Sequence, residues 1–215
     1  MPFVIVLLYW TIVVILLWAF TVQVVLRIIR RYVHFPMPAF FNRLIDNPLR
    51  RRIQSPRKII DWMGLSPNTV ILEIGAGPGT FTIEAARRIE NERRVVALDV
   101  QPAMISVLVK KLEKEKMTNV ESIIGSALSL PFLDDSFDGS FMITVLGELP
   151  DKSEALLEVR RVLRGEGELA IGELLFDPDY PRKKTILRLC KDAGFELISE
   201  YGRFLHYLLV FRKPA

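Results

Sequence analysis

Hydrophobic positions along this chain fall into two regimes. Residues 3–26 read FVIVLLYWTIVVILLWAFTVQVVL, with Thr11, Thr21 and Gln23 as polar interruptions and no charged side chain. As a helix rising about 1.5 Å per residue, the run reaches roughly 36 Å, enough to cross a hydrocarbon core of about 30 Å with some tilt. A secretory signal would have a shorter apolar region, positive charge before it and a small-residue cleavage site after it. Here no Lys or Arg precedes the run and bulky residues follow it. A buried core helix is the other alternative, but this run is apolar all round and longer than such helices usually are. Trp10 and Trp18 sit near its middle rather than at interfacial positions. Residues 1–33 are therefore read as a transmembrane anchor.

Residues 34–65 form a connector. HFPMP (34–38) interrupts the first helix, since Pro36 and Pro38 each lack a backbone donor. Phe40, Phe41, Leu44 and Ile45 then share one face of a short helix, opposite Arg43, Asp46 and Asn47. The basic stretch NPLRRRIQSPRKII follows. It is either a solvated linker or an interfacial element, its apolar residues in the headgroup region and its arginines on anionic lipid. A nucleic-acid patch would also be basic, but the adjacent apolar run makes the lipid bilayer the expected partner. The connector is also placed to act as a lid over an acceptor pocket.

From residue 66 the pattern changes to alternating strands and helices, the mark of an α/β sheet. Residues 69–74 (TVILEI) predict a strand, followed directly by Gly75-Ala-Gly-Pro-Gly79 and a helix over 80–89. Glycines at such a turn let the backbone pass close to a ligand, and the helix start supplies free N–H groups. Residues 94–99 (RVVALD) predict a second strand ending on an acid, which can accept from both hydroxyls of a ribose. Helices are expected over 102–116 and 181–193, with an antiparallel pair at 195–201 and 204–211. The glycine loop alone is weak, because NAD enzymes also follow strand one with glycines; its spacing here is G-x-G-x-G.

Composition narrows the options. At 215 residues there is room for one domain and an appendage. The net charge of +4 is modest, but Arg27, Arg30, Arg31, Arg43, Arg50, Arg51, Arg52, Arg57 and Lys58 follow the apolar run with Asp46 as the only acid among them. The positive-inside rule then puts residues 66–215 in the cytoplasm. A single cysteine, Cys190, suits a reducing compartment and excludes a Cys-rich metal site, and His34 and His206 leave little for a His-based one. No metal is expected, and Cys190 is read as packing.

VILEIGAGPGTFT (70–82), VVALDVQPAMI (95–105), GSALSLPFLDDSFDGSFM (125–142) and LLEVRRVLRGEGELAIGE (156–173) occur in that order. With them, residues 69–213 resemble the class I S-adenosylmethionine-dependent methyltransferases, and among these the type-11 group that includes ubiquinone and menaquinone C-methyltransferases. The last stretch is close to that group's E-x-x-R-V-L-x-P-G-G, with Gly165-Glu-Gly167 in place of Pro-Gly-Gly. The resemblance implies an α/β, Rossmann-like sheet of seven strands, mostly parallel with a reversed final strand, over residues 66–215. It implies S-adenosylmethionine as cofactor, with Glu73 and the backbone of Gly75, Ala76, Gly77 and Gly79 at its methionine part. Asp99 would take the ribose hydroxyls, Val100, Gln101 and Met104 would lie along the adenine, and Ser126 and Ala127 would meet the adenine edge. The family usually has Asp where Ser126 stands. Met104 is equally readable as a core side chain.

Methyl transfer from a sulfonium is an in-line displacement that needs alignment and a dry pocket, with a base only where the acceptor loses a proton. The segment Thr144-Val-Leu-Gly-Glu-Leu149 is where this fold places acceptor-side groups. Glu148 is the first candidate base, or else a capping acid before the helix that begins near Asp151; Tyr180 and His206 are further candidates. The Asn/Asp-Pro-Pro-Tyr motif of nucleobase-amine methyltransferases is absent, so no nucleic-acid partner is expected, although EIGAGPGTFT resembles the glycine loop of rRNA dimethylases. The expected function is methylation of a lipophilic or membrane-soluble acceptor, a quinone precursor or lipid. Alternatives are methylation of small lipophilic thiols or amines, an inactive cofactor-binding scaffold at the membrane, and an NAD-dependent reductase.

Overall fold

A computed structural model describes residues 2–32, 48–89 and 94–215. Helix α1 (Pro2–Tyr32) contains the apolar run, and Phe3–Val25 within it has a mean hydropathy of 2.7 with none of it buried. By length and composition it is able to cross a membrane. Two of its polar interruptions are satisfied internally: the hydroxyls of Thr11 and Thr21 donate to the carbonyls of Leu7 and Leu17, both at 2.8 Å. The third, Gln23, donates from Nε2 to the Phe176 carbonyl at 2.6 Å, and Arg27 donates to the Leu175 carbonyl at 2.5 Å. The expected break at 34–38 and the amphipathic helix around Phe40–Ile45 lie outside the described residues.

Short helices α2 (Pro48–Ile53) and α3 (Pro56–Met63) lead into the sheet. Each opens on a proline, whose fixed φ suits a first helical position, and α3 stops at Gly64 in the left-handed region at φ 61°. The elements that follow are β1 (Ile71–Ile74), α4 (Thr80–Ala86), β2 (Val95–Asp99), α5 (Pro102–Glu115), β3 (Val120–Ile124) and β4 (Phe137–Ile143). A 3₁₀ turn (Leu146–Glu148) precedes α6 (Lys152–Val162), β5 (Leu163–Leu174), α7 (Lys183–Asp192), β6 (Glu196–Gly202) and β7 (His206–Arg212). Asp151 caps α6, its side chain accepting from the Glu154 N–H at 2.9 Å.

The seven strands lie in the order β3-β2-β1-β4-β5-β7-β6. Neighbours from β3 to β5 run parallel, and β7 runs antiparallel to both β5 and β6. This is the expected sheet. Strands β1 and β2 are buried throughout, as central parallel strands covered on both faces must be. Alternate residues serve opposite faces. Leu72, Ile74 and Met142 meet Leu156 and Val159 of α6 and Ile186 and Cys190 of α7. Ile71, Phe141 and Ile143 meet Ile59 and Ile60 of α3 and Ala85 and Ala86 of α4. Strand order reverses between β1 and β4, which opens a crevice beyond their C-terminal ends where ligands bind in such sheets.

Glu73 is the polar exception inside β1, 2% exposed. Its carboxyl is braced by α4 through the Thr82 hydroxyl, which donates to Oε2. Burial raises its pKa from 4.5 to about 8, against the opposing Thr82 bond and with a smaller push from Asp99. A raised acid favours the fold most below the unfolded pKa, and that contribution is lost as pH rises through the folded one. Glu73→Gln cannot ionise, so its melting temperature should gain on wild type as pH rises from about 4.5 to about 8. Thermal unfolding followed by circular dichroism across that range checks this; a gap independent of pH contradicts it.

Candidate active site

The crevice holds a pocket of about 330 Å³, built from strand ends. After β1 the chain turns through Gly75, Gly77 and Gly79, all at positive φ (71°, 51° and 81°). At Gly75 an added Cβ would lie 2.3 Å from Val145 Cγ2, so the turn can approach the β4 loop only without a side chain. At Gly79 it would lie 2.4 Å from Leu108 Cδ1, which makes that glycine a packing site for α5. Gly77 has open space before it, and its backbone faces the pocket. The N–H groups of Gly75 and Ala76 donate to the Leu98 carbonyl at 2.8 and 3.0 Å, tying the turn to β2.

Asp99 ends β2 and is 6% exposed. Its Oδ2 accepts from the Gly77 N–H and its Oδ1 from the Gln101 N–H, each at 2.8 Å. Burial pushes its pKa up, opposed by those two donors. A carboxylate offers about four lone-pair sites, so two remain to meet a ligand. Val100, Gln101, Met104, Ser126, Ala127 and Leu128 continue the wall on that side. Met104 is both core and wall, 2% exposed yet lining the pocket. The Ser126 hydroxyl accepts from the Leu128 N–H at 3.2 Å, which rounds the turn after β3.

The other end of the pocket is made by Ile143, Thr144, Val145, Glu148, Leu149 and Asp177. Thr144 has φ 58°, a conformation a β-branched residue rarely adopts. Its hydroxyl donates to the Ile143 carbonyl at 2.7 Å and accepts from Arg50 at 2.5 Å. Behind this wall Glu173 is 1% exposed, and its Oε1 has no partner among the described residues. Burial, then Asp177 and Glu148, raise its pKa well above the ordinary value, and Arg50 and Lys152 oppose them.

Not every expected residue reaches the wall. Glu73 lies beneath the turn against Thr82, and Gly79 faces α5. Tyr180 and His206, considered as bases, are also not among the lining residues, although the Tyr180 N–H donates to the carbonyl of Asp177, which is, at 3.1 Å. Tyr180 packs edge-on to Tyr207 at 5.7 Å, and burial raises its pKa. His206 stacks on Trp62 at 5.6 Å, its pKa lowered by burial and then by Lys58. Cys190 is fully buried, and burial pushes its thiol up to about 12. Among the described residues no His, Cys, Asp and Glu side chains cluster closely enough to hold a metal. Arg50, Arg51, Gln54 and Asp177 do line the pocket, although the sequence put none of them at the cofactor: it set the arginines on anionic lipid and the connector as a lid over the acceptor. For the first three, the basic connector was the available signal; for Asp177 there was none.

A sequence profile of the methyltransferase domain matches residues 71–167. The ubiquinone/menaquinone biosynthesis C-methyltransferase UbiE of a Marinomonas species is 28% identical over 150 residues, which are 69% of this chain and 58% of that protein. A demethylmenaquinone methyltransferase of Listeria welshimeri is 35% identical over 149 residues, 69% of this chain and 61% of that protein. A solved SAM-dependent methyltransferase from Aquifex aeolicus shares the fold with a TM-score of 0.77 at 21% identity, covering 83% of this chain and all of that one. This chain carries a class I methyltransferase domain. It spans about three fifths of the length of the two curated relatives.

The cofactor of this methyltransferase domain is S-adenosylmethionine, and the residues present fit it. Asp99 keeps acceptor sites for two ribose hydroxyls, and the Gly77 backbone meets the pocket with no side chain in the way. Asp99→Asn would set an NH₂ group against a backbone N–H and remove the charge. Affinity for S-adenosylhomocysteine should fall roughly 10- to 100-fold, measured by isothermal titration; an unchanged affinity contradicts the assignment.

Proposed function

We propose that this chain transfers the methyl group of S-adenosylmethionine to a lipophilic acceptor at a bilayer, of the quinone-precursor class, and that α1 is its anchor. The observation that carries this is the contact between α1 and the segment that leads into the pocket's far wall. Gln23 and Arg27, at the end of the apolar run, bond to the carbonyls of Phe176 and Leu175, adjacent to Asp177 of the lining. Phe176 is 55% exposed there, and the Leu175 N–H donates to the carbonyl of Leu205, whose neighbour Phe204 is 79% exposed. Such a rim suits headgroup depth, and a tether concentrates the enzyme on acceptors confined to the membrane. The names of the Marinomonas and Listeria relatives point to the same acceptor class.

Bound S-adenosylmethionine supplies an electrophilic methyl group on a sulfonium. The chain contributes alignment and water exclusion between the glycine turn and the segment from Thr144 to Pro150. Glu148 on this wall takes the proton that a phenolic or enolic acceptor gives up. Glu173, buried behind it, favours its neutral form and so adds no second negative charge beside Glu148.

Full-length protein in proteoliposomes with tritiated S-adenosylmethionine tests this. Label should appear in an extractable prenylated quinol in preference to thiols, amines or phospholipids. Glu148→Gln should lower kcat on that acceptor by roughly 10²- to 10⁴-fold. Labelling confined to small thiols or amines would replace the quinone class. Tight cofactor binding without transfer to any of them would favour a non-catalytic role.

A further inference from the structure

Helix α2 lies in the connector, outside the four motifs, yet Arg50, Arg51 and, just past its end, Gln54 line the pocket. Gln54 is 1% exposed, and neither its Oε1 nor its Nε2 has a hydrogen-bond partner among the described residues. Burying an amide in this state is unfavourable, and nearly all buried polar groups in folded proteins are paired. A buried amide on the wall of a ligand pocket has an evident partner in the ligand.

Position decides which part of the ligand. Asp99 after β2 and the Ser126–Leu128 turn after β3 take the nucleoside half, so the remainder extends across β1 toward β4. Arg50 is bonded to Thr144, the residue that follows β4, which holds α2 over that end. Thr80, whose buried Oγ1 also lacks a partner, lines the same pocket at the start of α4. We infer that Gln54 binds the amino-acid end of S-adenosylmethionine, its NH₂ donating to the α-carboxylate and its carbonyl accepting from the α-ammonium. A primary amide can meet both charges of a zwitterion, where a lysine or a carboxylate would repel one of them. Arg50 and Arg51 add positive potential for the carboxylate. Residues 48–54 thereby belong to the binding machinery as well as to the link between anchor and domain. The assignment rests on S-adenosylmethionine being the cofactor.

Two ligands isolate the contact. S-adenosylhomocysteine carries the amino-acid end, whereas 5′-methylthioadenosine has the same nucleoside and thioether without it. For full-length Gln54→Leu in detergent, isothermal titration should show S-adenosylhomocysteine weakened by roughly 10- to 100-fold, with 5′-methylthioadenosine within about 2-fold of wild type. Gln54→Glu places negative charge against the carboxylate and should lose at least as much on the first ligand while keeping the second. Retained 5′-methylthioadenosine binding shows in each variant that the pocket is folded. Unchanged affinity of both variants for S-adenosylhomocysteine overturns the inference. So does an equal loss for both ligands, because the effect would then belong to the pocket as a whole. A wild type that binds neither ligand overturns the cofactor assignment itself.

Discussion

The carboxylate of Asp99 accepts from the N–H groups of Gly77 and Gln101 at 2.8 Å each, and so couples the glycine turn after β1 to the start of α5 after β2. Charge-assisted bonds of this kind contribute about 1.5–3 kcal/mol each. They require a buried acid at the end of an apolar strand, a position that would be unfavourable without those donors and a ligand for its remaining lone pairs. The parallel register of β1 and β2 brings the two strand ends level, with Ile74 opposite Leu98. The strand order then leaves the crevice at β1 and β4 open. The pocket follows from that placement, and with it the cofactor orientation and acceptor side of the proposed function.

Much of this was legible in the chain. Parallel strands buried on both faces are short, nearly continuous apolar runs; β4, with Asp138, Gly139 and Ser140 in it, is not one, but VILEI and VVALD are, each carrying a single acid. Their ends carry the chemistry, so Asp99 and the glycine turn could be located from spacing. Other features depend on side-chain direction, which spacing does not reveal. Glu73 alternates with its neighbours onto the face of α4, where Thr82 takes it. His206 lies in an apolar strand and ends against Trp62, and Tyr180 turns toward Tyr207. Gln54 is hidden in a basic stretch whose composition suggested solvent, lipid or nucleic acid, and it is buried between α2, held to Thr144 by Arg50, and α3, which packs on the sheet.

The β4 end of the pocket differs in character from the β2 end. Thr144 at φ 58°, the Arg50 contact, and the acids Glu148, Glu173 and Asp177 gather at the ends of β4 and β5. Near them, α1 meets the chain at residues 175 and 176. On the proposed function, a lipophilic acceptor would enter beside the anchor and meet a polar wall only at its reacting ring. That arrangement accounts for an apolar rim around charged groups without assigning every acid a chemical role.

A structure of the full-length chain with S-adenosylhomocysteine bound tests the central claim most directly. It should place both ribose hydroxyls on Asp99, the adenine beside Ser126 to Leu128, and the thioether sulfur facing the segment from Thr144 to Glu148. A nucleoside seated away from Asp99, or a sulfur directed toward β3, would contradict it.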